Sequence, residues 1–250
     1  DFLEEKPRSF LSPEVTYNSD EGLATGAVGL YDELSHPYFS STPWRDCWVL
    51  TNGATDFNRM GLQKEREEVA TLRSDFGPST SESTLMRLWS HYYRLANNAT
   101  TIIDNSEEHN WSDENLKKRT EGEASFFRGW AHFFLTMLWG DIPPIRSEAK
   151  GVKLDFVQEP QIDVINYAIE DFTIAVESLP EQADQPGRVT KATAMHMLAY
   201  AYLASKDYVN AEKWAQNVID DSNYELVTER FGSKVDHPDG NFFWDLFQLN

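Results

Sequence analysis

Apolar residues recur at helical spacing along most of the chain and lose that spacing over one long stretch. Leu23, Ala27, Leu30, Tyr31 and Leu34 share one face of a helix predicted over residues 20–34, with Asn18 and Glu21 as its start signal and Pro37 as its stop. Residues 36–83 hold no sustained period and carry Pro37, Pro43, Gly53, Gly61, Gly77 and Pro78. A connection of that length is uncommon unless it has a function. The spacing returns over residues 84–103, where Leu85, Leu88, Trp89, Tyr92, Ala96, Ala99 and Ile103 form a stripe, followed by a turn over 104–112. Further helices are predicted over 161–178, 191–205 and 209–221.

Residues 121–144, EGEASFFRGWAHFFLTMLWGDIPP, hold the densest apolar run. Ala124, Phe127, Ala131, Phe134, Leu135 and Leu138 lie on one face, and Phe126, Trp130, Phe133 and Met137 on the other. A helix apolar all round is expected to be buried. The uninterrupted run is far short of the roughly 20 apolar residues a bilayer requires, and Arg128 and His132 interrupt it, so it predicts a core helix rather than a span. Gly140 supplies a positive-φ residue after the last turn, and Pro143 and Pro144 forbid continuation.

Ala199, Tyr202, Ala211, Ala215 and Val218 match the small-and-aromatic spacing of a tetratricopeptide helix pair, in which small residues let the helices approach. Ala131 and Phe134, then Ala168, Phe172, Ala175 and Pro180, match it again. In that earlier pair 34 positions separate Phe134 from Ala168, where Tyr202 and Ala211 are nine apart, so about 25 residues are inserted between paired helices. The expected fold is all-α, with tetratricopeptide-like helix pairs elaborated by long irregular loops. No strand pattern competes with it, although short hairpins inside the loops are compatible. The predicted organisation is one helical domain over 1–250: an arm, first helix and long loop over 1–83, repeat helices over 84–225, and the start of a further region over 226–250.

With 41 acidic against 22 basic residues the net charge is −19, which repels a nucleic-acid backbone and anionic lipid alike. A single cysteine, Cys47, rules out an internal disulfide framework and cysteine-rich metal sites, and reads as a small buried hydrophobe. The chain opens on Asp1, which is what a product trimmed of its targeting segment would show.

The helix with its Gly-Asp-Ile-Pro exit resembles the signature of the SusD/RagB family of outer-membrane nutrient-binding lipoproteins. Residues 1–4 (DFLE) with Pro7 are similar to the start of the mature family sequence just beyond its lipidated cysteine. GAVGLYDEL (26–34) resembles the first family helix, LWSHYYRLANNATTII (88–103) the second, and AMHMLAYAYLASKDY (194–208) with Ala211 the later repeat helices. The matches are collinear over residues 1–221. Family members run to about twice this length, so the resemblance implies an N-terminal half, its aromatic ending Asn241 to Phe247 lacking a following helix to pack on. It also implies function: capture of an oligosaccharide or polysaccharide on the cell surface, as the lid of a TonB-dependent, SusC-like outer-membrane transporter, without catalysis or cofactor. Membrane attachment would be only through a lipid anchor that this chain does not contain.

A sugar site needs flat aromatic faces for the pyranose ring and fixed polar groups for its hydroxyls. Residues 36–62 offer both, with Trp44 and Trp48 beside Arg45, Asp56 and Asn58 as the expected ligand contacts. The competing reading is that these aromatics staple a long loop to the helices. Catalytic signatures are missing: there is no Gly-x-Ser-x-Gly, no phosphate loop and no His-Glu-x-x-His. Glu33 and His36 give one Glu-x-x-His where a carboxylate-bridged metal pair needs two. His132 reads as a hydrogen-bonded core histidine, and residues 236–241 (DHPDGN) as a plain turn in preference to a calcium loop. Two functions of other classes remain compatible: a helical glycoside hydrolase, which needs a carboxylate pair that no feature selects, and a tetratricopeptide scaffold for a protein segment.

Overall fold

Where the turns between amphipathic segments are short, neighbouring helices pack antiparallel. The computed structural model describes residues 16–39, 81–149, 151–221, 223–238 and 240–246. These form α1 (Asp20–Phe39), α2 (Ser81–Glu108), α3 (Glu114–Trp139), α4 (Gln161–Ser178), α5 (Lys191–Ala204), α6 (Tyr208–Ile219) and the single turn α7 (Phe242–Asp245). Side-chain pairs fix the directions. Against α2, α3 sets Glu121 beside Ser106 (2.7 Å) at one end and Trp139 beside Trp89 (5.2 Å between rings) at the other. Against α4, a Cβ on Gly122 would lie 2.9 Å from that of Ser178, and one on Gly129 3.0 Å from that of Asp171. At the far end Gln161 Nε2 donates to the Thr136 carbonyl (2.8 Å). The all-α, tetratricopeptide-like architecture is therefore present, with α3/α4 and α5/α6 as its repeat pairs. Among the described residues the only β pairing is an isolated bridge between Ile142 and Glu159.

The core runs along α3. Phe127, Phe133, Leu135, Phe172, Tyr92 and Leu198 are fully buried, drawn from α2, α3, α4 and α5. No described helix is long and apolar enough to cross a membrane.

Several boundaries differ from the sequence expectation. Helix α1 passes Pro37 and ends at Phe39, because a proline in a final turn forfeits only the one backbone donor that would reach the Glu33 carbonyl. Its start is set by Ser19, whose Oγ accepts from Gly22 N (3.1 Å), rather than by Asn18. Helix α2 is longer at both ends than 84–103, its polar tail reaching Glu108, and the side chain of Leu85 lies outside the described residues. Helix α3 begins two turns before Glu121, where Asp113 caps it by accepting from Asn115 N and Leu116 N (2.9 and 3.1 Å). Its last turn is not buried all round: Met137 and Leu138 are 45% and 39% exposed, since no described helix covers that face beyond Leu135. Ala211 is buried as the repeat pattern expects, but Ala215 is exposed on the outer side of α6.

Candidate functional site

Alternating directions bring the C-terminal ends of α1, α3 and α5 to the same end of the bundle as the N-terminal ends of α2, α4 and α6. Both long insertions, 40–80 and 140–160, therefore leave from that end. The second insertion is built residue by residue. Gly140 adopts φ 76° and ψ −124°, a region for which glycine is suited, and its N–H donates to the Thr136 carbonyl (2.9 Å) while Thr136 Oγ1 donates to the Gly140 carbonyl (2.7 Å). The chain then runs down α2. Tyr93 Oη donates to the Pro143 carbonyl (2.8 Å), Thr101 Oγ1 to Glu148 Oε1 (3.2 Å), and Glu148 N to Asp104 Oδ2 (2.6 Å).

His132 holds the middle of this segment. Ile145 N donates to its Nε2 (3.0 Å), which places the ring proton on Nδ1. Burial, aided by the charges of Arg128 and Arg146, lowers its pKa to about 3, so the ring is neutral. It is a core histidine, in keeping with the sequence reading. Arg128, one turn earlier, forms a buried bidentate pair with Asp171 of α4 (Nε to Oδ2 3.0 Å, Nη2 to Oδ1 2.6 Å). Glu123 joins three elements: it accepts from Tyr31 Oη of α1 (3.0 Å) and pairs with Arg188 before α5 (2.9 Å), and burial pushes its carboxyl upward. Sequence reading missed these pairs, because each partner lies more than 40 positions away and neither half carries a local signal.

Where the second insertion departs, Trp89, Tyr93 and Trp139 form a half-buried aromatic cluster, with ring centroids 4.7 and 5.2 Å apart about Trp89. Such a cluster presents aromatic edges and faces at a rim, which is the chemistry that apolar sugar faces recognise. Trp44, Arg45, Trp48, Asp56 and Asn58, the ligand contacts expected from sequence, all lie outside the described residues, as does Cys47. Glu33 of the Glu-x-x-His has its Oε1 3.3 Å from both His91 Nδ1 and Arg94 Nε. Around 236–241, Gly240 N donates to the His237 carbonyl (3.1 Å), and Arg230 ties the loop down through the Lys234 and Gly240 carbonyls (2.7 Å each) and Asp245 (2.6 Å). Asp239 is outside the described residues. Among those described, no three His, Cys, Asp or Glu side chains gather to hold a metal ion.

A groove of about 680 Å³ runs along the outer face of α5 and α6, walled by Ala199, Tyr200, Leu203, Ala215 and Val218, with His196 and Glu212 at its edges. Its alkyl and aromatic walls offer little to a sugar's hydroxyls and suit a packed helix better.

The fold and its loops define a tetratricopeptide-like repeat protein elaborated at one end of its helices. The profile of the SusD-like family, described as starch-binding associating with outer membrane, matches residues 1–205, and the chain belongs to that family. A SusD-like protein, P2, from Formosa agariphila is 28% identical over 99% of this chain and 46% of its own length. A SusD-like protein from Bacteroides ovatus is 26% identical over 91% of this chain and 42% of its own. The chain thus spans about half the length of the curated relatives it matches. Solved structures share the fold: a SusD-like carbohydrate-binding protein from Bacteroides fragilis superposes with a TM-score of 0.70 at 18% identity, over 86% of this chain and 43% of that one. A crystal structure with xylogluco-oligosaccharide gives 0.68 at 24%, over 83% and 42%. A laminarin-binding SusD-like protein gives 0.70 at 18%, over 85% and 47%.

Proposed function

We propose that this chain is the helical scaffold of a cell-surface glycan-capture protein, held at the external face of the outer membrane by a lipid anchor in the full-length protein, and working without catalysis as the lid of a TonB-dependent, SusC-like transporter. The observation that carries this reading is membership of the SusD-like family over most of the chain. Support comes from two proteins of the same fold, one solved with xylogluco-oligosaccharide and one named for laminarin binding. The helix order is compatible with it, because Phe39 and Ser81, the helix ends that flank the insertion bearing Trp44, Arg45, Trp48, Asp56 and Asn58, lie at the same end of the bundle as Trp139. We assign Trp44 and Trp48 as stacking platforms, with Arg45, Asp56 and Asn58 as partners of the sugar hydroxyls. No metal or other cofactor enters this reading, and nucleic acid has no place in it given the charge of −19. Residues 1–83 would carry the ligand loop, 84–225 the repeat scaffold, and 226–250 the approach to a further region. Copurification with an outer-membrane transporter under mild extraction is the test of the lid role. Recovery free of any barrel protein would remove that role while leaving glycan capture to be measured separately.

A further inference from the structure

The insertion after α3 has two unlike legs. Residues 140–149 are fastened to α2 and α3, whereas residues 152–158 continue to the Ile142–Glu159 bridge without helix, turn or bend and with every residue exposed. Val152, Leu154 and Val157 are 92%, 89% and 74% exposed, and Phe156 is exposed as well. No described residue bonds the N–H or C=O groups of 152–158, and the pairing of Glu159 with Ile142 begins only after them. Val152, Leu154 and Phe156 alternate with Lys153 and Asp155, the two-residue period of a strand with one apolar face. An unpaired segment of this kind is a template for another strand.

The strand that fits it is its own copy. About a twofold axis at Leu154, an antiparallel partner sets Val152 opposite Phe156, Leu154 opposite Leu154, and Lys153 opposite Asp155 twice over. Sliding the register by two residues either way keeps the apolar face but sets Asp155 against Asp155 or Lys153 against Lys153, so charge selects one register. Both charged side chains are available. Neither has an ion pair with a described residue; the Lys153 ammonium lies 5.3 Å from the Phe156 ring centroid, a contact that residues three apart in a strand cannot keep, so pairing exchanges it for Asp155 of the second copy. We propose that residues 152–156 pair with the same segment of a second copy, forming a two-stranded antiparallel ribbon across a twofold axis at Leu154. Five residues a side bury less than the roughly 1,200–2,000 Å² of a stable interface, so the dimer is reversible and concentration-dependent. A charge of −19 on each copy opposes it, and salt that screens this repulsion beyond about 10 Å favours it.

Sedimentation of the 250-residue chain over a range of concentration and salt is expected to show a monomer–dimer equilibrium that strengthens as salt rises from low values. Lys153→Asp or Asp155→Lys alone should weaken it about tenfold, and the double exchange should restore it. In a Cys47→Ser background, Leu154→Cys should cross-link copies on mild oxidation, because opposed residues of an antiparallel pair lie within disulfide reach, while Val157→Cys, displaced far along the ribbon, should not. All four substituted side chains of the ribbon are at the surface, and unchanged helical circular dichroism checks that the fold is intact. A monomer at every concentration and salt, a dimer indifferent to Lys153→Asp, or equal cross-linking at 154 and 157 would overturn the proposal.

Discussion

Burying the Arg128 guanidinium and the Asp171 carboxylate removes two charges from water, and their bidentate geometry offsets that loss only while both are present. Asp171→Ala is therefore expected to destabilise the fold by about 3–5 kcal/mol in chemical denaturation, with the double change Arg128→Met, Asp171→Leu far milder. A small loss for the single change would show that solvent reaches the pair. Two further residues set the response to acid. His132 has a pKa near 3 in the folded chain against an ordinary 6.5, so the unfolded chain takes up this proton first and stability falls as pH drops from about 6.5 towards 3. Asp20 is held near 2 by the Ser112 hydroxyl and by His109, below its ordinary 3.8, so its contribution is complete above that value and is lost as pH falls towards 2. Unfolding titrations should show His132→Gln flattening the upper window and Asp20→Asn only the lower one. Identical acid profiles for both variants and the parent chain would contradict this assignment.

At the scale of the elements, α3 is the organiser. Gly122 and Gly129 admit α4 to close range, and Gly140 turns the chain onto α2. Gly129→Ala would force a Cβ to 3.0 Å from that of Asp171, and Gly140→Ala would strain a positive φ; each is expected to cost about 1–3 kcal/mol. Hydrogen exchange separates them, since only Gly140→Ala should expose the amides of Ile142 and Ile145. Much of this was legible in the sequence. Helix α4 has the predicted bounds, enclosed by Pro160 and Pro180, and α5 follows Thr190, whose side chain forms a reciprocal cap with Thr193. The first turns of α3 were not legible from periodicity because residues 114–120 are polar apart from Leu116; Asp113 fixes them through a local cap. The exposure of Met137 and Leu138 was hidden for a different reason. An apolar pattern says which residues a neighbour can cover, not whether a neighbour is there.

For the whole molecule, the family could be read from one helix and its exit together with collinear segments over 1–221, and the repeat architecture from the small-residue spacing of two helix pairs, because most of these residues build the core. The proposed site rests only on a composition of aromatic and polar residues in a long insertion, since ligand contacts depend on where loops fold back, and periodicity does not encode that. What the structure adds is the end of the bundle at which Phe39 and Ser81 flank that insertion, and a Trp89, Tyr93 and Trp139 cluster at the exit of the second one. Glycan capture without turnover is tested most directly by titrating the full-length protein with xyloglucan- and laminarin-derived oligosaccharides while following the sugars for product. The expected result is saturable binding of an oligosaccharide that stays intact, weakened about tenfold, or roughly 1.4 kcal/mol, by Trp44→Ala or Trp48→Ala. Cleavage of the oligosaccharide, or no binding to any glycan tried, would contradict it.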